Sequence, residues 1–152
     1  MFGFLSTLTQ DLHPMVVHFP IALFTLSFVL ALAGRIWPRL REMEWLLFAL
    51  GTLAALAAVV TGLAAHFPYE NTDLAAIIEP HQFSALLGTL VMLGIAIGRF
   101  VSRRRGKDIG QQSWYLVFAV LGLVWIVLVG GTGGQLVYQY AVNVRGVNPL
   151  LP

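Results

Sequence analysis

The chain has 152 residues, 58% of them hydrophobic and 11% charged, with a mean hydropathy of +0.80. A soluble domain carries about a quarter charged residues, so this composition excludes a water-soluble globule and implies a single integral membrane domain. A net charge of +2 and a pI near 9.4 would suit a nucleic-acid binder only if the cations covered a surface; cysteine is absent, which excludes disulfides, thiolate-held iron–sulfur clusters and c-type haem attachment.

Residues 1–12 read as a weakly apolar arm lying along a membrane interface, with no basic n-region or small-residue cleavage site, so no removable signal peptide is expected. Four apolar stretches follow, at about 14–37, 45–67, 81–101 and 114–138. Each reaches the roughly 20 residues that cross a ~30 Å hydrocarbon core, and a lipid-facing segment must satisfy its own backbone, so each is predicted to be helical. The expected fold is an all-α, up-down four-helix transmembrane bundle. The loop after the first helix holds Arg39 and Arg41 beside Arg35, and the loop after the third holds Arg103, Arg104, Arg105 and Lys107 beside Arg99. The other side carries one cation, Arg145, against Asp11, Glu70, Asp73 and Glu79. By the positive-inside rule both basic loops are cytoplasmic and both termini outside. No nucleic-acid partner follows from the basic runs, which read as topology and anionic-lipid signals.

The connecting pieces are short. Residues 68–80 form the one sizeable outer loop, in which Asp73 could cap a turn or two; residues 139–152 form an external tail. Trp37, Trp45 and Trp114 should mark the inner interface, and Tyr69, Tyr138 and Tyr140 the outer one. Small residues such as Gly94 and Gly98 allow close helix contact.

The histidines carry the functional argument. His13, His18, His66 and His81 all fall at the outer end of the spans, and ionisable groups at membrane depth are costly unless used. His13-Pro14 sits at the start of the first helix, where a proline is tolerated. Pro20 cannot donate to the carbonyl of Val16, so the helix should kink beside His18. Pro80-His81 opens the third helix and His66 closes the second. In a simple bundle the first and third helices are diagonal, which sets His18 and His81 across the core from one another. Two imidazoles, a dry slot and small residues such as Gly62, Gly88 and the Gly130–Gly134 run would suit a b-type haem, with Arg145 as a propionate partner. The same four histidines, with Glu70, Asp73 or Glu79, could instead hold a zinc or copper ion. The plainer alternatives are helix-end groups for His13 and His66, a solvated loop for the three acids, and a cofactor-free structural or assembly subunit.

The opening HPMVVHFPIAL (His13 to Leu23) and the ending GGQLVYQYAVNV (Gly133 to Val144) resemble a family of small bacterial four-helix membrane proteins catalogued as domain of unknown function 2231. By position His13, Pro14, His18, Pro20, His81, Gly133, Gly134 and Tyr138 match its pattern, while Ala141 stands where the family has glycine. The resemblance implies an electron-transport accessory, encoded with cytochrome or Rieske-type modules, that binds haem. The combined expectation is a multi-pass inner-membrane subunit of a larger respiratory or photosynthetic complex, with periplasmic termini and no catalysis of its own. It would bind haem b through His18 and His81, with His13 and His66 as a second or tuning pair, and exchange electrons with a quinone, a membrane partner or a periplasmic carrier.

Overall fold

A computed structural model describes residues 11–144 and 146–148. The secondary structure of these residues is helical, and four helices are long and apolar enough to cross a membrane. They are α1 (His18–Ile36), α2 (Arg41–His66), α3 (Ala75–Arg104) and α4 (Tyr115–Tyr138). Each helix packs on its two neighbours in the order α1–α2–α3–α4 and back to α1, so α1 and α3 lie diagonally opposite. The up-down bundle expected from the sequence is thus the fold. Its outer faces are apolar side chains left open to lipid, among them Leu32, Leu53, Val60, Phe83, Leu121 and Val127.

The span of α1 begins earlier, at Asp11, and its helix is interrupted at Val17. The interruption is the expected consequence of Pro20, which has no N–H to offer the carbonyl of Val16, and the next backbone bond, Ile21 N–H to Val17, stretches to 3.4 Å. At its far end α1 stops because Trp37 precedes Pro38, and the ring of a proline drives the preceding residue out of helical dihedrals; Trp37 sits at φ −117°, ψ 90°. Pro38 then opens a single tight turn, Pro38–Leu40, into α2.

One boundary departs from the sequence reading. The third helix does not open at His81 but at Ala75, and it runs through Pro80. A proline so near a helix start forfeits one bond only. Burial of Ala75 and Ile78 holds the two extra turns in place, Ile78 packing with Tyr69, Leu136 and Val142. Asp73 does not cap the helix; its N-cap is Leu74, with no side-chain cap bond.

The middle of the bundle is an aromatic stack. Phe24 packs against Phe28 with ring centres 5.8 Å apart, Phe48 meets Phe24 edge-on at 5.5 Å, and Tyr115 and Trp125 close the sides. Two glycines make this possible. A Cβ at Gly122 would stand 2.5 Å from Phe28, and one at Gly88 would stand 2.0 Å from Trp125. The clearance at Gly88, expected to admit a ligand, is therefore filled by the Trp125 indole, whose Nε1–H donates to the carbonyl of Ser84 at 3.1 Å. Gly94, by contrast, faces open space, and Gly98 touches only Ile109, so this pair is no helix-packing seam.

Candidate functional site

The two ends of the bundle hold different polar chemistry. At the basic end, Arg99 is buried and uses all five of its N–H donors. Nη1 and Nη2 bind the Glu44 carboxylate at 2.6 and 2.7 Å, Nε and Nη2 bind Asp108 at 3.2 and 3.1 Å, and Nη1 also reaches the Tyr115 hydroxyl at 2.9 Å. Its guanidinium also lies over the rings of Trp45, Phe48 and Tyr115. Arg103 joins Asp108 to Glu42, and Arg35 donates to the carbonyls of Gly110, Gln111 and Gln112. Burial raises the Asp108 carboxyl, but hydrogen bonds from Arg99 and then Arg103 outweigh it and hold the group below its ordinary range. Every charge in this cluster has a partner. Arg99, which the sequence counts among the basic-end cations, is thus also the centre of a buried network, and Trp45 at that end is half-buried beneath it.

At the opposite end lies a cavity of about 460 Å³, within the usual size range of small-molecule and cofactor sites. All four histidines line it, as the sequence suggested, together with Pro20, Gln82, Trp125, Gly130, Gly133 and Gly134 among others. The lining is mostly apolar.

Two of the histidines are held alike. His13, from the first turns of the α1 span, places Nδ1 3.2 Å from the hydroxyl of Thr61 on α2, and its ring lies over Gly62, where a Cβ would approach Cε1 to 2.9 Å. His81, in α3, places Nδ1 2.8 Å from the hydroxyl of Thr132 on α4, and its ring lies over Gly133, where a Cβ would approach Cε1 to 3.2 Å. The Thr61 hydroxyl is 3.0 Å from the carbonyl of Ala57, and the Thr132 hydroxyl is 3.0 Å from that of Val129. A carbonyl only accepts, so each hydroxyl gives its single proton to the backbone and receives one from the imidazole. That leaves Nδ1 protonated and a lone pair on Nε2 of both rings. The two imidazoles come from diagonal helices and line the same cavity.

His18 and His66 sit differently. His18 is exposed, and its Nδ1 is 2.7 Å from the carbonyl of Pro14 one turn back, a contact that spans the interruption at Val17. His66 ends α2, and its Nε2 is buried with no partner among the described residues; the same holds for Gln82 Oε1. The geometric match across the core is therefore His13 with His81, where the sequence paired His18 with His81. Among the described residues, no three histidines or acids are gathered to hold one metal ion, and Glu70, Asp73 and Glu79 are exposed. Arg145, the expected propionate partner, and residues 1–10 of the N-terminal arm lie outside the described residues.

The tail roofs this end. Tyr69, read from the sequence as an interfacial ring, is fully buried. Its hydroxyl donates to Asn143 Oδ1 at 3.2 Å and accepts from the Asn143 backbone N–H at 3.0 Å and from Asn148 Nδ2 at 3.3 Å. Val142 and Asn143 thereby become part of the cavity wall.

Sequence reasoning missed both threonines. The available signal was the dipeptide Thr-Gly, which occurs in the chain only at 61–62 and 132–133, once in the second helix of each hairpin.

No curated protein and no solved structure matches the chain. A family model described as a predicted membrane protein (DUF2231) matches residues 9–146, which include all four histidines and both threonines, and the chain belongs to that family of membrane proteins.

Proposed function

We propose that this protein is a membrane electron-transfer subunit that holds one b-type haem between His13 and His81. The observation that carries the reading is the matched His–Thr–Gly arrangement of the two hairpins. Each ring has Nδ1 tied to a threonine hydroxyl and Nε2 left with its lone pair, the state in which a neutral imidazole ligates iron. The residues fit such a group on chemistry as well as placement: two nitrogen donors, a mostly apolar lining, and glycines 130 and 134 that present almost no side-chain bulk to the space. The bound iron would supply one-electron exchange.

The chain's own contribution is positioning and exclusion. Thr61 and Thr132 fix tautomer and ring orientation, Gly62 and Gly133 let the rings lie flat on the neighbouring helix, and the roof made by Tyr69 and the tail limits water. His18 sits beside the kink, where its bond to the Pro14 carbonyl supports the broken turn. The basic loops support a cytoplasmic position for the opposite end, which would set the site near the periplasmic face of a bacterial inner membrane, within reach of a soluble carrier or a partner subunit.

The test is an absorption spectrum of detergent-purified protein, reduced minus oxidised, with haem supplied during expression. A Soret band is expected in the wild type and in His18→Gln, and should be lost in both His13→Gln and His81→Gln. No band in the wild type overturns the reading. Loss in His18→Gln with retention in His13→Gln would return the ligand role to His18.

A further inference from the structure

The same cavity holds two polar atoms that the haem reading leaves idle. His66 Nε2 and Gln82 Oε1 are the buried side-chain atoms without a hydrogen-bond partner among the described residues, and both residues line this cavity. They come from α2 and α3, adjacent helices of the bundle. A buried polar atom left unpaired costs about 1–3 kcal/mol, so two of them in one cavity, from adjacent helices, call for an occupant.

Their chemistry restricts what it can be. Gln82 Oε1 only accepts, so the occupant must offer an O–H or N–H. An imidazole nitrogen on the same wall can be met by the oxygen of that hydroxyl if His66 is protonated at Nε2, or by a second hydroxyl proton if it is not. Water could serve either atom, but an apolar space far larger than one molecule does not fill with ordered water. The remaining wall on this side is hydrocarbon, including Val59, Leu63, Ile78 and Leu86. The shape of the requirement is a hydroxyl on an apolar body.

We infer that the α2–α3 side of the cavity binds the head of a lipid-soluble hydroquinone, its hydroxyl donating to Gln82 Oε1 and hydrogen-bonded to His66 Nε2. A hydroxyl meets both atoms with a single group, its proton on Gln82 Oε1 and its oxygen open to His66 Nε2–H. The choice of a hydroquinone among hydroxyl-bearing lipids rests on the electron-transfer reading of the neighbouring His13–His81 pair.

The probe is radiolabelled decylhydroquinone, titrated against the purified full chain in lipid nanodiscs, with empty nanodiscs as the partition blank. Its bis-methyl ether, which keeps the tail and ring but has no O–H, is the control. Saturable binding of one decylhydroquinone per chain is expected, with the ether at least about tenfold weaker, the equivalent of one lost hydrogen bond. Gln82→Met, which keeps volume and removes the acceptor, should weaken the hydroquinone by a similar factor while leaving the ether unchanged. Equal binding of hydroquinone and ether, or no saturable binding, overturns the inference; so does a folded Gln82→Met variant that binds as the wild type does, which would mean water alone meets these atoms. If that variant does not fold, the hydroquinone-to-ether ratio in the wild type decides. Absent binding beside an intact Soret band refutes this site only, whereas binding without a Soret band refutes only the haem reading.

Discussion

The basic end and the histidine end both bury polar groups and settle them in opposite ways. Around Arg99 every donor meets an acceptor inside the protein, two carboxylates and a phenol completing the set. The space left there is only about 10 Å³, room for one water at most. Around the cavity the Nδ1 atoms of His13 and His81 are tied to threonine hydroxyls, while His66 Nε2 and Gln82 Oε1 are buried without a partner among the described residues. A closed network is a structural device; an open one with oriented lone pairs is a site. The same low dielectric that makes the first rigid makes the second demand a ligand.

Breaking the closed end should have the largest effect. Arg99→Leu strands Glu44 and Asp108 without their main counter-charge, and removing one partner of a buried ion network costs about 3–5 kcal/mol. Thermal unfolding in detergent, followed by tryptophan fluorescence, should show the loss. Adding Glu44→Leu and Asp108→Leu to the same chain should recover most of it, because apolar replacement of a whole buried network is close to neutral. A single variant as stable as the wild type would mean that water already screens this cluster.

The open end should respond differently, in affinity and not in folding. Thr61→Val and Thr132→Val keep shape and remove the hydroxyl that orients each imidazole, and loss of such a supporting partner lowers ligand affinity about 10–100-fold. Haem titration of each variant should show that drop with little change in unfolding temperature. Equal responses from the two threonines would support the matched halves; a response from only one would mean that a single histidine ligates.

How much of this was legible beforehand divides along the same line. Hydropathy and the positive loops read out four spans, their order and the gathering of four histidines at one end, because those properties depend on position along the chain alone. Pro20 announced its kink for the same reason, since a missing N–H is a local fact. The pairing of His13 with His81 was not legible. It depends on which helix face each ring occupies and on hydroxyls contributed by another helix, 48 and 51 residues away in sequence. Glu44 and Arg99 escaped notice for a related reason: 55 residues separate them, and each alone looks like a charge at a helix end. The start of α3 at Ala75 was hidden by Pro80, whose local veto is overridden by burial of Ile78 against Tyr69.

The smallest predicted effect tests the backbone. At the basic end the chain leaves α3 through Gly106, at φ +74°, where the N–H of Lys107 returns to Ser102 and glycine bears no penalty. At the histidine end the corresponding reversal is made by Ala141 at φ 52° and Asn143 at φ 61°. Asparagine tolerates this region and here has its side chain engaged with Tyr69, but alanine is strained in it. The roof over the cavity therefore carries strain that a glycine at position 141 would relieve. Ala141→Gly should therefore stabilise the protein by a few tenths to about 1 kcal/mol, the relief of strain being partly offset by the freer unfolded chain. Gly106→Ala should act with the opposite sign. Unfolding midpoints of the two variants, measured side by side, check both signs at once, and a destabilised Ala141→Gly would mean that the alanine methyl contributes more by packing than its backbone loses.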